Sequence, residues 1–493
     1  RSTLFPYTTL FRSGSCNFNF LYKYTCRRRF KLKPFVAGTD NSSGISLYIQ
    51  LYRHIKREIL AGNLSAGEKL PSLRAISKDS GVSLTTVSLA YEQLLTEGYI
   101  ISRPQSGYYV AELPAVGETI EQISPEGFDL TSYAKQANDY VYDLSAFDFQ
   151  KWKKCTSKVL NDYPQLLLYE SDVQGEAALR YEISRYVYSS RGVTASPDRI
   201  VIGAGIQQLT AHLCRILRRM GIDHICTEDP GYVPIQQIFT DNGFGIGKIP
   251  VADDGIIIDR LPVNISSAVY VSPANQFPTG SVMPVANRYK LLTWAKENDS
   301  IILEDDYDSE LRYFGKPIPA LQGLDTGDRV VYLGSFSSTL FPAVKISYMI
   351  LPEKMASIFS SIKSDYTQTC SKTEQLTLAL FMEDGYYYTG IRRLRSLYSQ
   401  KLAAVLASFA KYGRNHIKTT DTRSGINMFI KVKSRRTSDE LCKDAALLGL
   451  HASPLNYGSS PGKNVRSLIF YYNQIPLELI DSVIKELSQR WKS

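Results

Sequence analysis

No run of apolar residues in this 493-residue chain approaches the length needed to span a bilayer. The stretch Leu4 to Leu21 is too broken by Thr, Arg, Ser and Asn to serve as a signal-peptide core. A membrane-embedded or secreted protein is thereby excluded as the expectation, and a cytoplasmic location follows. Cysteine chemistry is also lacking. The seven residues Cys16, Cys26, Cys155, Cys214, Cys226, Cys370 and Cys442 are scattered, with no Cys-x-x-Cys pair and no neighbouring histidine cluster, so buried or incidental thiols are expected and no metal site or disulfide frame. Positive charge is scarce where it would be informative: the net charge is +9, yet Arg1, Arg12, Lys23, Arg27, Arg28, Arg29, Lys31 and Lys33 face Asp40 alone, leaving the rest of the chain near neutrality. Net charge therefore does not argue for nucleic-acid binding. The opening STLFPYTTLFRS has neither helical nor strand periodicity, and residues 1–44 are expected to be a non-native or disordered leader.

What is present is material for a core. Hydrophobic residues make up 44% and charged residues 21%, the composition of a soluble globular protein long enough for one large domain and an appended module. From residue 47 apolar residues recur at four-residue steps, Leu47, Leu51, Ile55 and Ile59, with Arg53, Lys56, Arg57 and Glu58 turned away; this predicts a helix stopped near Gly62. After Pro71 and Ser72 a short helix carries Leu73 and Ile76 and ends at Gly81. Ser83 then caps a third helix with Val87, Ala90, Tyr91 and Leu94 inside. Two helices about a tight glycine turn predict a helix-turn-helix. Tyr99 to Ser102 and Tyr108 to Ala111 read as strands about the turn Arg103 to Gly107, a wing.

The words LPSLRAISKDSGVSLTTVSLAYEQLLTEGYI and RPQSGYYV resemble the GntR family of bacterial regulators in order and spacing. The resemblance implies a winged helix-turn-helix over residues 45–112 that binds a double-stranded DNA operator, the recognition helix entering the major groove while the preceding helix and wing hold phosphates. It assigns Arg74, Ser83, Thr85, Thr86 and Arg103 to DNA contact, with Gly107 letting the wing approach the backbone. Leu84 departs from the arginine common there in the family, so base preference is expected to differ. Pro114, Gly117, Pro125 and Gly127 among polar residues predict a linker over residues 113–127.

From residue 128 onward, Arg199 to Gly203, His224 to Thr227, Ala268 to Val271, Ser300 to Leu303 and Val330 to Gly334 read as buried strands alternating with amphipathic helices. An α/β domain with a largely parallel, helix-covered sheet is expected, its ligand at the carboxyl ends of the strands. Unusual words fall there. In GAGIQQLTAHL the amides of Gly205, Ile206 and Gln207 open a helix and suit a phosphate. EDPGY offers Tyr232 just after a strand. In EDDYDSE five carboxylates crowd into seven residues, costly unless some meet a cation or a protonated ring.

Together with YESDVQGEAALR, SPANQFPTG and GSFSSTLFPAVKISYMILP, these words resemble MocR-type regulators and, through them, fold-type I aminotransferases. The resemblance implies a pocket for pyridoxal 5'-phosphate and a homodimer completing it. Asp305 would pair with the pyridine nitrogen, Tyr307 would reach the ring oxygen, Tyr232 would stack on the ring, Asn275 or Gln276 would add a hydrogen bond, and Ser335 and Ser337 would donate others. The family pattern Ser-Phe-Ser-Lys puts its Schiff-base lysine at position 338, here Ser338, and Lys345 stands where the family has a phosphate-binding arginine. Pyridoxal phosphate, if bound, is then held non-covalently, and there is no catalytic residue for transamination. Val233 and Pro234 after Tyr232, and the arginine-free HASPLNY, disfavour a γ-aminobutyrate sensor; Arg466 reads as an exposed loop residue. The expected function is a DNA-binding regulator whose second domain senses pyridoxal phosphate or an amino-group small molecule. The alternative is an aminotransferase with an accessory winged helix.

Overall fold

The computed structural model describes residues 45–113, 129–131, 143–313, 318–419, 425–455 and 464–492. The chain divides into two compact units, Arg1–Gly127 and Phe128–Ser493. The expected leader at 1–44 and all of the expected linker but Leu113 lie outside the described residues.

In the first unit, helix α1 (Leu47–Leu60) buries Leu51, Ile55 and Ile59. Two positions depart from the periodicity: Leu47 in the opening turn is exposed, and Glu58 is buried, accepting a hydrogen bond from Asn63 at 3.1 Å. Helix α2 (Leu73–Ser80) is capped by Ser72, whose hydroxyl accepts from the Ala75 amide, and ends at Gly81 in the left-handed region, φ 69°. Helix α3 (Leu84–Thr96) is capped by Ser83 and buries Val87, Ala90, Tyr91 and Leu94 against α1 and α2. Tyr91 further fixes the entry to α2 by donating to the Pro71 carbonyl at 2.9 Å. Strands β1 (Ile100–Arg103) and β2 (Gly107–Val110) close the wing with Ile100 opposite Val110 and Arg103 opposite Gly107.

The second unit is built on an eight-stranded sheet. In chain order its strands are β3 (Ile200–Gly203), β4 (His224–Asp229), β5 (Gly245–Ala252), β6 (Gly255–Ile256), β7 (Ala268–Val271), β8 (Ile301–Asp305), β9 (Val330–Ser335) and β10 (Ser347–Ile350). Across the sheet they run β3-β10-β9-β8-β7-β4-β5-β6. The pairs β9-β8-β7-β4-β5 are parallel, while β10 runs antiparallel to both β3 and β9. Connecting helices such as α4 (Phe149–Asp162), α5 (Ala177–Arg191), α6 (Ile206–Arg219), α7 (Val233–Asp241) and α8 (Val285–Glu297) cover the two faces, which is why the central strands are buried along most of their length and mainly apolar. The chain leaves β4 outward to β5 and then returns to β7, β8 and β9 on the other side. This switch opens a crevice beyond the carboxyl ends of β4, β7 and β8.

Helices α9 (Glu353–Ile362), α10 (Lys372–Glu383) and the 27-residue α11 (Tyr386–Tyr412) lead to a smaller layer. There β11 (Ile417–Thr419), β12 (Asn427–Lys433), β13 (His451–Leu455) and β14 (Val465–Tyr471) form an antiparallel sheet ordered β11-β12-β14-β13. Helices α12 (Ser438–Ala446) and α13 (Ile480–Arg490) pack on it through Leu441, Ile484, Leu487 and Trp491.

Candidate functional site

The winged helix presents its assigned residues outward. Arg74 on α2, Ser83 and Thr85 at the start of α3, and Arg103 at the end of β1 are exposed; Thr86 is half-buried. Ser83 and Thr86 are also engaged with each other, the Ser83 hydroxyl accepting from the Thr86 amide at 3.1 Å and lying 2.8 Å from the Thr86 hydroxyl. Gly107 has φ 108°, and a Cβ there would meet Lys69 at 3.5 Å, so the wing turns where only glycine is comfortable. The Arg103 guanidinium stacks 4.4 Å over the Tyr109 ring, and Lys69 lies 5.8 Å from the same ring. The hydrogen bond from Ser106, with these two cations, holds the Tyr109 hydroxyl below its usual range. Lys69 and Tyr109 were not singled out from the sequence: Tyr109 reaches Arg103 diagonally across the hairpin, and Lys69 joins them through its bridge to β2.

In the second unit a cavity of about 480 Å³ opens at the switch point. Gly205, Ile206, Gln207, Tyr232, Asp305, Tyr307, Ser335, Ser337, Ser338 and Lys345 all line it, contributed by the heads of α6 and α7 and the tails of β8 and β9. Asn275 is not among the lining residues; it is buried, and its amide nitrogen would be 3.3 Å from a Cβ at Gly425. Gln276 is fully occupied bracing loops: its amide donates to the Pro230 carbonyl at 2.8 Å and to Glu228, and its oxygen accepts from Thr279. Arg466 is on β14 rather than in a loop, donating to the Arg436 carbonyl at 2.7 Å, and does not line the cavity.

Four of the five carboxylates of EDDYDSE go to separate partners. Glu304 accepts the Leu321 and Gln322 amides at 2.7 and 2.8 Å. Asp306 is gripped by Arg191 through two 2.8 Å bonds, and also accepts from Ser309 and Tyr332. Glu310 accepts the Tyr186 hydroxyl at 2.8 Å. Among the described residues Asp305, facing the cavity, has only the Tyr270 hydroxyl at 2.6 Å; burial pushes its carboxyl up to about 7, and neighbouring Asp306 and Asp308 add to the rise. Behind it Glu228, with one oxygen unpartnered, is pushed up to about 8 by burial. A buried acid without a cation, at the floor of a cavity, suits a protonated ring nitrogen.

The opposite requirement, an anion site, is met at the head of α6. Gly205 is the N-cap at φ 93°, and its own amide is committed to the Gly203 carbonyl at 2.8 Å. The amides of Ile206 and Gln207, in the first turn, have no carbonyl within the helix to serve. The Ser335 hydroxyl accepts from Ser347 at 2.9 Å and points toward Ser337 at 3.3 Å, and Lys345, exposed at φ 49°, adds the cation. Tyr232 and Tyr307 stand edge-on to Phe277 at 6.0 and 6.1 Å, and all three rings line the cavity. These residues fit an aromatic, protonated, phosphate-bearing group. Sequence reading missed Tyr270, which reads as one more apolar strand residue, and Ile426, Asn427 and Tyr471, which the smaller sheet brings from far along the chain.

A winged helix joined to an aminotransferase-type fold defines a class of transcription regulator, and comparison with known proteins agrees on both halves. Residues 47–110 match the bacterial regulatory proteins of the gntR family, and residues 136–457 match aminotransferase class I and II. The HTH-type transcriptional regulator YdeL of Bacillus subtilis is 37% identical, over 94% of this chain and 99% of its own length. The probable rhizopine catabolism regulatory protein MocR of Rhizobium meliloti is 30% identical over 85% of this chain and 88% of its own length. The kynurenine aminotransferase of Pyrococcus horikoshii superposes with a TM-score of 0.61 at 21% identity, covering 76% of this chain and 97% of that one, which establishes the fold. The chain belongs to the MocR-type branch of the GntR transcription regulators, with an aminotransferase class I/II domain. No described helix is long and apolar enough to cross a membrane.

Proposed function

We propose that this regulator binds operator DNA through Arg74, Ser83, Thr85, Thr86, Arg103 and Gly107, and that its second domain senses pyridoxal 5'-phosphate or an amino-group small molecule without transaminating it. The observation that carries the reading is Asp305, a buried carboxylate with no cation partner among the described residues, in a cavity that also offers the head of α6, Ser335, Ser337 and Lys345. Pyridoxal phosphate supplies an electron sink when bound. Asp305 keeps its ring protonated, Tyr307 and Tyr232 confine the ring, and the α6 amides with Lys345 hold the phosphate. Ser338 occupies the place of the family's Schiff-base lysine, and a hydroxyl cannot form that covalent bond. The cofactor is therefore held by contacts that release it.

A homodimer formed through the second domain is part of the proposal. Its support is the run Leu160, Tyr163, Leu166, Leu168 and Tyr169, which leaves large apolar side chains in solvent, Leu168 82% exposed. We place the protein in the cytoplasm. The test is to titrate the full-length chain with pyridoxal phosphate while following cofactor absorbance and the mobility of promoter DNA. Reversible binding, lost on gel filtration, with a change in DNA affinity is expected. No binding, or binding without effect on DNA, refutes sensing.

A further inference from the structure

Of the EDDYDSE carboxylates only Asp305 and Asp308 line the cavity, and the cofactor reading uses Asp305 alone. Asp308 is 5% exposed, and its Oδ1 has no hydrogen-bond partner among the described residues. Its backbone is left-handed, φ 55°, a conformation uncommon for a residue with a Cβ and worth a functional explanation. The groups that favour its charged form are the Ser338 hydroxyl and the Ile426 amide, and neither is a cation. On its far side, Gly425 lies against it: a Cβ there would meet Oδ2 at 3.6 Å. A carboxylate oxygen left bare inside a protein is expensive, and the cost is removed by a paired cation.

We infer that Asp308 is an ammonium-binding residue, which together with the short Ser338 side chain holds the protonated amino group of a primary-amine effector inside the cavity. This rests on the reading of the cavity as a cofactor and effector site, and deepens it by naming the effector's charge state. An amine that reacts covalently must first lose its proton. An amine held by Asp308 keeps it, since the carboxylate only accepts and the ammonium supplies three donors. Asp305 and Lys345 remain free for the ring and phosphate ends of the cofactor, so the two ligands do not compete for the same charges. Burial raises the Asp308 carboxyl above its ordinary range, and an arriving ammonium reverses that shift.

The experiment uses full-length protein and three probes sharing a butyl chain: n-butylamine, butyltrimethylammonium and 1-butanol, measured by calorimetry at neutral pH with and without pyridoxal phosphate. The primary ammonium is expected to bind, the quaternary ion to bind more weakly because it cannot donate, and the alcohol not to bind measurably. Asp308→Asn should weaken n-butylamine by roughly tenfold or more, the worth of one charge-assisted hydrogen bond. The variant removes an unpaired charge, so folding is not endangered; a circular dichroism melt confirms this. In the absence of pyridoxal phosphate, Ser338→Lys should weaken it as well, because the new side chain then delivers its own ammonium to Asp308. Equal n-butylamine affinity in Asp308→Asn, equal binding of 1-butanol, or no binding of n-butylamine to the unsubstituted protein each overturns the inference. Pyridoxal phosphate binding, scored separately by absorbance, shows whether the cofactor reading survives.

Discussion

Replacing Asp305 by Asn removes the charge at the cavity floor while keeping an acceptor for the Tyr270 hydroxyl, now 2.6 Å from Oδ2. A hydrogen bond to a charged partner is worth about 1.5–3 kcal/mol, so pyridoxal phosphate should bind roughly 10- to 150-fold more weakly to Asp305→Asn where Asp305 is ionised. The carboxyl is pushed up to about 7 by burial. Its charged fraction therefore rises from roughly 0.1 at pH 6 to roughly 0.9 at pH 8. On this account affinity in the unsubstituted protein climbs about tenfold over that interval, while the variant lacks this titration, and the gap between them widens by the same factor. Glu228, pushed up to about 8 close by, titrates over the same range, so the comparison is repeated in a Glu228→Gln background. Absorbance titration of full-length protein at pH 6, 7 and 8 provides the constants. A gap that is absent, or that stays constant with pH, refutes the pairing of Asp305 with the ring.

Ser338→Lys should create an adduct with pyridoxal phosphate that borohydride fixes, located on residue 338 by peptide mass, whereas the unsubstituted protein should show neither adduct nor turnover; an adduct on Lys345 with turnover would favour an enzyme. Arg74→Ala should weaken duplex DNA binding by about 1–3 kcal/mol and lower its salt dependence; unchanged mobility-shift affinity for Arg74→Ala combined with Arg103→Ala would remove the DNA-contact assignment. Arg191→Met strands Asp306, at present held by two 2.8 Å bonds, and should cost about 3–5 kcal/mol, a loss of roughly 4–6 °C in Tm for a unit of this size; a shift under one degree contradicts it. Glu228, Asp305 and Glu310 have folded pKa values raised above those of the unfolded chain, so their contribution to stability is complete below about pH 4 and is lost as pH rises through 7 and 8. Ligand-free protein should therefore melt lower at pH 8.5 than at pH 6, and a higher melting temperature at pH 8.5 would sink this reading.

Much of the architecture was legible before any coordinates, because it rests on local rules. Ser83 followed by an apolar-periodic run specifies a capped helix whatever surrounds it, and Gly81 and Gly107 mark positive φ values that other residues resist. The apolar runs at β3, β4, β7, β8 and β9 announce buried strands, since only a strand covered on both faces can be apolar throughout. The words ending β3, β4, β8 and β9 supply much of the cavity lining, whereas Asn275 and Gln276 after β7 do not line it. For the four lining words, order along the chain was enough, because a parallel sheet sends every carboxyl end to one side. Strand direction at β10 was not legible: an apolar run such as Ile346 to Leu351 reads the same whichever way it pairs, and pairing is decided by neighbours remote in sequence. The same limit governed the carboxylates of EDDYDSE. Sequence showed that they are crowded; only the tertiary structure sorted them, giving Arg191 to Asp306 and Tyr186 to Glu310 and leaving Asp305 and Asp308 toward the cavity. Asp306 and Glu310 found partners more than a hundred residues away, and an ion pair or its absence is a property of packing rather than of order along the chain.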